Sequence, residues 1–396
     1  MTLLERIRDF SVFPGLWHKQ VDHLRRAAAN GDVDVVVAIL RGRTPADPAK
    51  AQHTSALQMA CRFGHLEAAK ALLEKGADVN RIAPDGTALM EAAAAGREDI
   101  ARLLLDSKAD PCIGVDGDLP AHRAARFGHA AVLRLLDAQQ GAAAGTLRAP
   151  NAEGRTPLMV ACCMRDGGAE AAELLLARGA DPCGADAAGN TCLHIAALAG
   201  NAELARLLLA APGVRALASA PNARGRTPLH LAAAFGGEAA ARELIAAGAD
   251  ARAADADGAT PLHALAKSLM VSADSAAAVA ELMLQRGADA GARDGQGRTA
   301  LDYASLLPLR RVLGGGGPST SSGAEEEGRR PAAVSRKEGV NASLRDVLQA
   351  EAAAAAAAGA ATPSPADAFL LKEALRTRTS EEPEGWKLGS EVSTTQ

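Results

Sequence analysis

Three histidines, His194, His230 and His263, stand at the same point of a phrase that recurs along the chain. Imidazoles can ligate metals or shuttle protons, but only where they converge on one place. These three are strung out one per recurrence, and the expected role is structural: a ring at that point hydrogen-bonds nearby backbone and ties turns together. The six cysteines, Cys61, Cys112, Cys162, Cys163, Cys183 and Cys192, form no C-x-x-C pair. Cys162 and Cys163 are adjacent in a helical stretch and point in different directions, so they are read as small buried hydrophobes. No Ser-His-Asp set, P-loop, strand-to-helix G-x-G-x-x-G or H-E-x-x-H motif appears. The expectation is a protein that is not an enzyme and takes no cofactor or metal.

The elements that position these residues are set by the recurring phrase itself. It reads SALQMA at Ser55, TALMEA at Thr87, LPAHRA at Leu119, TPLMVA at Thr156, TCLHIA at Thr191, TPLHLA at Thr227, TPLHAL at Thr260 and TALDYA at Thr299. The steps are 32, 32, 37, 35, 36, 33 and 39 residues. Thr227 can cap a helix whose first position, Pro228, needs no N–H partner, and Leu229 and Ala232 then share one buried face. A second helix follows each time, as in HLEAAKALLEKGAD, where Leu66, Ala69, Leu72 and Leu73 form a stripe and Gly76 supplies a left-handed stop. Gly-Ala-Asp recurs at Gly179, Gly248 and Gly287, whereas Lys108 replaces the glycine in the third unit. Asp85-Gly86 and Asp257-Gly258 suit tight hairpins between units. Cys112 and Cys183 then lie two units apart, on the order of 20 Å, too far for a disulfide.

This pattern resembles the ankyrin repeat, with its period of about 33 residues and T-P-L-H-x-A phrase. The resemblance implies an all-α solenoid with short β-hairpin fingers, of eight to nine units over residues 21–313, counting a first helix pair at 21–41 that lacks the phrase. Residues 1–20 would be an N-terminal arm and 314–396 a flexible, largely disordered tail. With Leu119 in the threonine position the fourth unit is poorly capped. QQGAAAGTLRAP and APGVRALASAP lengthen the links after the fourth and sixth units, and KSLMVSADSAAA separates the two helices of the eighth. Hairpin tips and first-helix ends form the concave partner-binding face in this family. Here those places hold Arg62, Phe63, Arg126, Phe127, Arg155, Met164, Arg165, Arg224, Arg226, Phe235 and Arg298. They predict a locally basic groove with aromatic anchors, suited to an acidic segment of a protein partner.

Composition agrees with binding rather than chemistry. Net charge is −4, close to balance, so no global field favours nucleic acid or an anionic membrane. No apolar run reaches the roughly 18 residues of a membrane span. Cysteine usage points to a reducing compartment, cytosol or nucleus, and the chain is read as monomeric. Past Leu313 the texture changes to GGGGPSTSSGAEEEGRRP, a linker by composition, with short helices expected near 343–358 and 364–378. An alternative function rests on SLRDVL at Ser343, which resembles the box by which some ankyrin proteins recruit a ubiquitin ligase; Leu348 stands where that box has cysteine.

Overall fold

The computed structural model describes residues 17–41, 55–139, 145–164, 168–235, 237–268, 271–305 and 307–314. Most of the N-terminal arm, Arg165, and the tail with its expected helices and the SLRDVL segment lie outside the described residues.

Nine helix pairs follow one another among the described residues. The first helices are α1 (Trp17–Asn30), α3 (Ala56–Phe63), α5 (Ala88–Ala94), α7 (Pro120–Arg126), α9 (Pro157–Ala161), α11 (Cys192–Ala199), α13 (Pro228–Phe235), α15 (Pro261–Lys267) and α17 (Ala300–Tyr303). The second helices are α2 (Val33–Arg41), α4 (Leu66–Glu74), α6 (Glu98–Asp106), α8 (Ala130–Asp137), α10 (Ala169–Ala177), α12 (Ala202–Ala210), α14 (Glu238–Ala246), α16 (Ala273–Gln285) and α18 (Leu307–Gly314). Each first helix packs on the next first helix and each second on the next second, giving two parallel rows. The core lies between the rows and between units. Every residue of α11 is buried, because neighbours cover it on three sides, and its apolar residues accordingly show no single stripe. Alanines at the contacts, such as Ala60, Ala92, Ala124, Ala196 and Ala232, are almost wholly enclosed and let the helices approach closely.

Helix starts follow the phrase. Ser55, Thr87 and Thr156 accept a hydrogen bond from the N–H three residues on. Leu119 offers no such oxygen, as expected, yet Pro120 still takes the first helical position. His122 supplies a partner of another kind: its Nδ1 accepts the Leu119 N–H at 3.1 Å. Five second helices end in the left-handed turn, at Gly76, Lys108, Gly179, Gly248 and Gly287. Lys108 is forced into it at φ +67°, where its counterparts are glycines. Relief of that strain is worth about 1–2 kcal/mol, offset by about 0.4–1 kcal/mol of added unfolded-chain freedom. Lys108→Gly should therefore raise stability by about 0.5–1 kcal/mol, read from the urea midpoint at unchanged slope.

The expected hairpins are tight loops held by side chains; among the described residues the only β pairing is isolated bridges. Five of these loops share one device. The side-chain oxygen of Asn151, Asp186, Asn222, Asp255 or Asp294 accepts the N–H groups two and four residues on. The glycine inside each loop sits at positive φ, and a Cβ on Gly189 would stand 2.8 Å from the Ala223 nitrogen of the next loop. That closeness lets the loops bond tip to tip: Ala152, Ala187, Ala223, Ala256 and Gly295 each donate N–H to a carbonyl of the preceding loop.

The described parts of the two long links pack into the stack. Val214–Ser219 forms a 3₁₀ helix with Val214 and Ala218 buried, and Leu147 is buried in the other link. From them Arg148 donates to the Arg178 carbonyl and Arg215 to the Ala247 carbonyl, each at the end of the next unit's second helix. Asn80 and Arg252 do the same to Lys108 and Gly287 from ordinary links.

Candidate protein-binding face

Histidine straps hold the first-helix row in register. In the sixth unit the Thr191 N–H and hydroxyl both donate to His194 Nδ1, at 3.2 and 2.9 Å. Nδ1 must therefore be bare, and the proton on Nε2 is donated to the Arg226 carbonyl of the next unit at 3.0 Å. His230 reaches the Ala259 carbonyl and His263 the Arg298 carbonyl in the same way. His122 reaches the Arg155 carbonyl, making a fourth member that its LPAHRA setting concealed. Gln58 copies the geometry: its Oε1 accepts the Ser55 N–H and its Nε2 donates to the Gly86 carbonyl. Burial pushes the His122 and His230 imidazoles down from their ordinary value, and His194 down to about 4. These histidines are structural, each spanning one joint.

A second set points backward. His65 bonds the Ala29 carbonyl, His129 the Ala94 carbonyl and Asn201 the Met164 carbonyl, each at or beyond the end of the preceding first helix.

Of the arginines predicted to face a partner, most spend their charge inside the stack. Arg62 donates to Glu91 at 2.6 Å and to Asp85 at 3.1 Å, and the bond to Glu91 is the main reason its pKa rises. Arg126 pairs with Asp118 at 3.1 Å and Arg226 with Asp255 at 3.5 Å. Arg155 is 1% exposed; its guanidinium sits between Asp186 at 3.3 Å and Glu153 at 2.7 Å. The structure thus places Arg155 in the joint, where it offers no surface, because its loop stacks directly under the next one. Arg224 is half-buried in its loop, and its carbonyl accepts the Ala256 N–H. Arg298 lies over the Tyr303 ring at 4.2 Å. The groove is consequently much nearer neutrality than its arginine count suggests.

The aromatic anchors fare differently. Phe63 and Phe127, at the ends of α3 and α7, are 39% and 47% exposed, while Phe235 and Met164 are half-buried. Phe127 stacks on His129 with ring centres 6.3 Å apart, which fixes its orientation. One unit lies between the phenyls, and there Ala95 holds the corresponding place.

The neighbour of Cys162 across the joint is not the adjacent Cys163 but Cys192. Both are enclosed, and the hydrogen bond to Cys192, then burial, raises the Cys162 thiol well above its usual value, so Cys162 is not poised as a nucleophile. Among the described residues no three His, Cys, Asp or Glu side chains are grouped to hold a metal ion.

Helix pairs, capped phrases and strapped joints repeat in register, and the family model for ankyrin repeats (3 copies) matches residues 24–114, 108–186, 183–255 and 229–307. The chain belongs to the ankyrin-repeat family. An ankyrin-repeat chain of Escherichia coli K12, YahD, is 30% identical over 192 residues, which is 47% of this chain and 93% of that one. An ankyrin repeat-containing chain of Treponema pallidum (strain Nichols) is 39% identical over 84 residues, 21% of this chain and 28% of its own length. The ankyrin repeat is a protein-interaction module, and this chain carries its architecture through all nine pairs. Among the described residues no helix is long and apolar enough to cross a membrane.

Proposed function

We propose that this chain is a non-enzymatic scaffold or adaptor that holds a protein partner along its loops and first-helix ends, with Phe63 and Phe127 as apolar anchors. The carrying observation is their exposure at equivalent places of two units, on a row whose arginines are mostly neutralised from within. Large aromatic side chains contribute disproportionately to interface energy when a partner encloses them. Paired arginines beside them add shape and hydrogen-bonding capacity at the rim, and an acidic stretch in the partner would be steered by whatever positive charge is left over. A rigid stack presents these groups without ordering cost on its own side.

The test is affinity capture from native lysate with quantitative mass spectrometry. Wild type is compared with Phe63→Asp/Phe127→Asp and with Arg102→Ala/Arg134→Ala on the second-helix row, all three checked by circular dichroism. Specific partners should fall at least tenfold on the phenylalanine variant and persist on the arginine control. An unchanged partner list on the phenylalanine variant contradicts the reading.

A further inference from the structure

The loops carry a pairing rule that reaches one position further than the loops themselves. Where the residue just before a helix cap carries a polar side chain, as at Arg155 and Arg226, it meets the loop residue that opens the next unit's turn: Arg155 Nε approaches Asp186 Oδ2 at 3.3 Å, and Arg226 Nε approaches Asp255 Oδ2 at 3.5 Å. Amides pair likewise, Asn222 Nδ2 donating to Asn190 Oδ1 at 2.8 Å. Arg298 occupies the same place before Thr299, and no described loop follows it. Its Nε is buried and has no hydrogen-bond partner.

The surroundings of Arg298 suit an anion. Its guanidinium and the Lys267 ammonium lie over the single tyrosine of the chain, Tyr303, at 4.2 and 4.1 Å. Tyr303 donates its hydroxyl to Asp294, which Lys267 also approaches at 3.4 Å. Asp302 is taken up by the Thr299 N–H and hydroxyl, and Arg293 donates to the Gly297 carbonyl. Lys267, Arg293 and Arg298 thus share the carboxylates of Asp294 and Asp302.

We infer that the corner made by Arg298, Lys267 and Tyr303 receives a carboxylate side chain from an acidic segment of a partner protein, in the place that Asp186 takes on Arg155 and Asp255 on Arg226. This rests on the reading of the stack as a protein-binding scaffold, and it locates that scaffold's charge recognition at the last loop and not along the whole groove.

The full-length chain labelled with ring-¹³C tyrosine reports on the corner through one residue. Hexaglutamate, titrated in, should shift the Tyr303 signals saturably, and hexaglutamine should not. Arg298→Gln should weaken the hexaglutamate effect at least tenfold, and Arg134→Gln on the second-helix row should leave it unchanged. If Arg298→Gln unfolds, Arg298→Lys keeps the charge without Nε and should weaken binding at least threefold. A Tyr303 signal that does not respond, or responds equally in the Arg298 variants, overturns the inference. So does a shift produced without peptide by changing Glu325, Glu326 and Glu327 to Gln, since the chain's own acids would then be the occupant. None of these outcomes bears on capture through Phe63 and Phe127, so the two readings fail separately.

Discussion

Asp186→Ala should cost the stack about 3 kcal/mol, because it takes the buried carboxylate from a buried guanidinium and leaves it only the half-exposed Glu153. The side chains of Arg155 and Asp186 are 2% and 1% exposed, so water cannot replace the lost carboxylate. The same substitution removes the acceptor for the Ala188 and Asn190 N–H groups, and with it the device that shapes the loop. Asp186→Asn keeps an oxygen for those two N–H groups and loses only the charge, so it should be the milder change. The site is also a joint: Arg155 belongs to the fifth unit and Asp186 to the sixth, and Met159 stands where other units place the strap histidine. In a solenoid the stability of the whole depends on nearest-neighbour interfaces. Urea unfolding of Asp186→Ala followed by circular dichroism should therefore resolve two transitions, one for each side of the joint. A single transition with an unshifted midpoint would contradict this.

His194→Gln should leave stability at pH 7.5 nearly unchanged and remove about 3 kcal/mol of acid sensitivity. The folded imidazole titrates near 4, an unfolded one near 6.5, and each pKa unit is about 1.4 kcal/mol. Because the folded value is the lower one, the unfolded chain takes up the proton first. The strap's contribution is therefore whole above about pH 7 and drains as pH falls through 6.5 towards 4. Protonation at Nδ1 would also set a donor against the Thr191 N–H and hydroxyl that now donate to it. Glutamine is the chosen replacement because Gln58 already makes the same pair of bonds in the second unit. His122 and His230, also pushed down, keep part of the acid loss in the variant. Denaturant titrations from pH 7.5 to 4 compare the two slopes; identical pH dependence would remove His194 from the account.

Much of this architecture is written in local sequence. The spacing of Thr227, Pro228, Leu229 and Ala232 dictates a capped helix with one buried face, and its recurrence dictates stacking. The joints were harder to read, because a residue's partner there lies some thirty positions away and depends on stacking register. Arg155 looks like a solvated loop arginine until the next loop is placed on top of it, and only then does Asp186 become its counter-charge. His122 was hidden by Leu119, which breaks the phrase, although counting three residues from the cap finds it. Cys192 could not be matched to Cys162 by spacing for the same reason. The long links carry no period at all, and among their described residues it is Leu147, Val214 and Ala218 that are buried. In the candidate site the types were legible and the charge state of the groove was not: arginines and phenylalanines were picked out by position, but pairing decided which remain available.

Hydrogen exchange of the chain with and without a captured partner tests the central claim most directly. Protection concentrated in residues 56–64, 83–88 and 118–127, which hold Phe63, Phe127 and their loops, is the predicted result. Protection confined to the second helices, at residues 66–74, 98–106 and 130–137, would place the partner on the other row and contradict it.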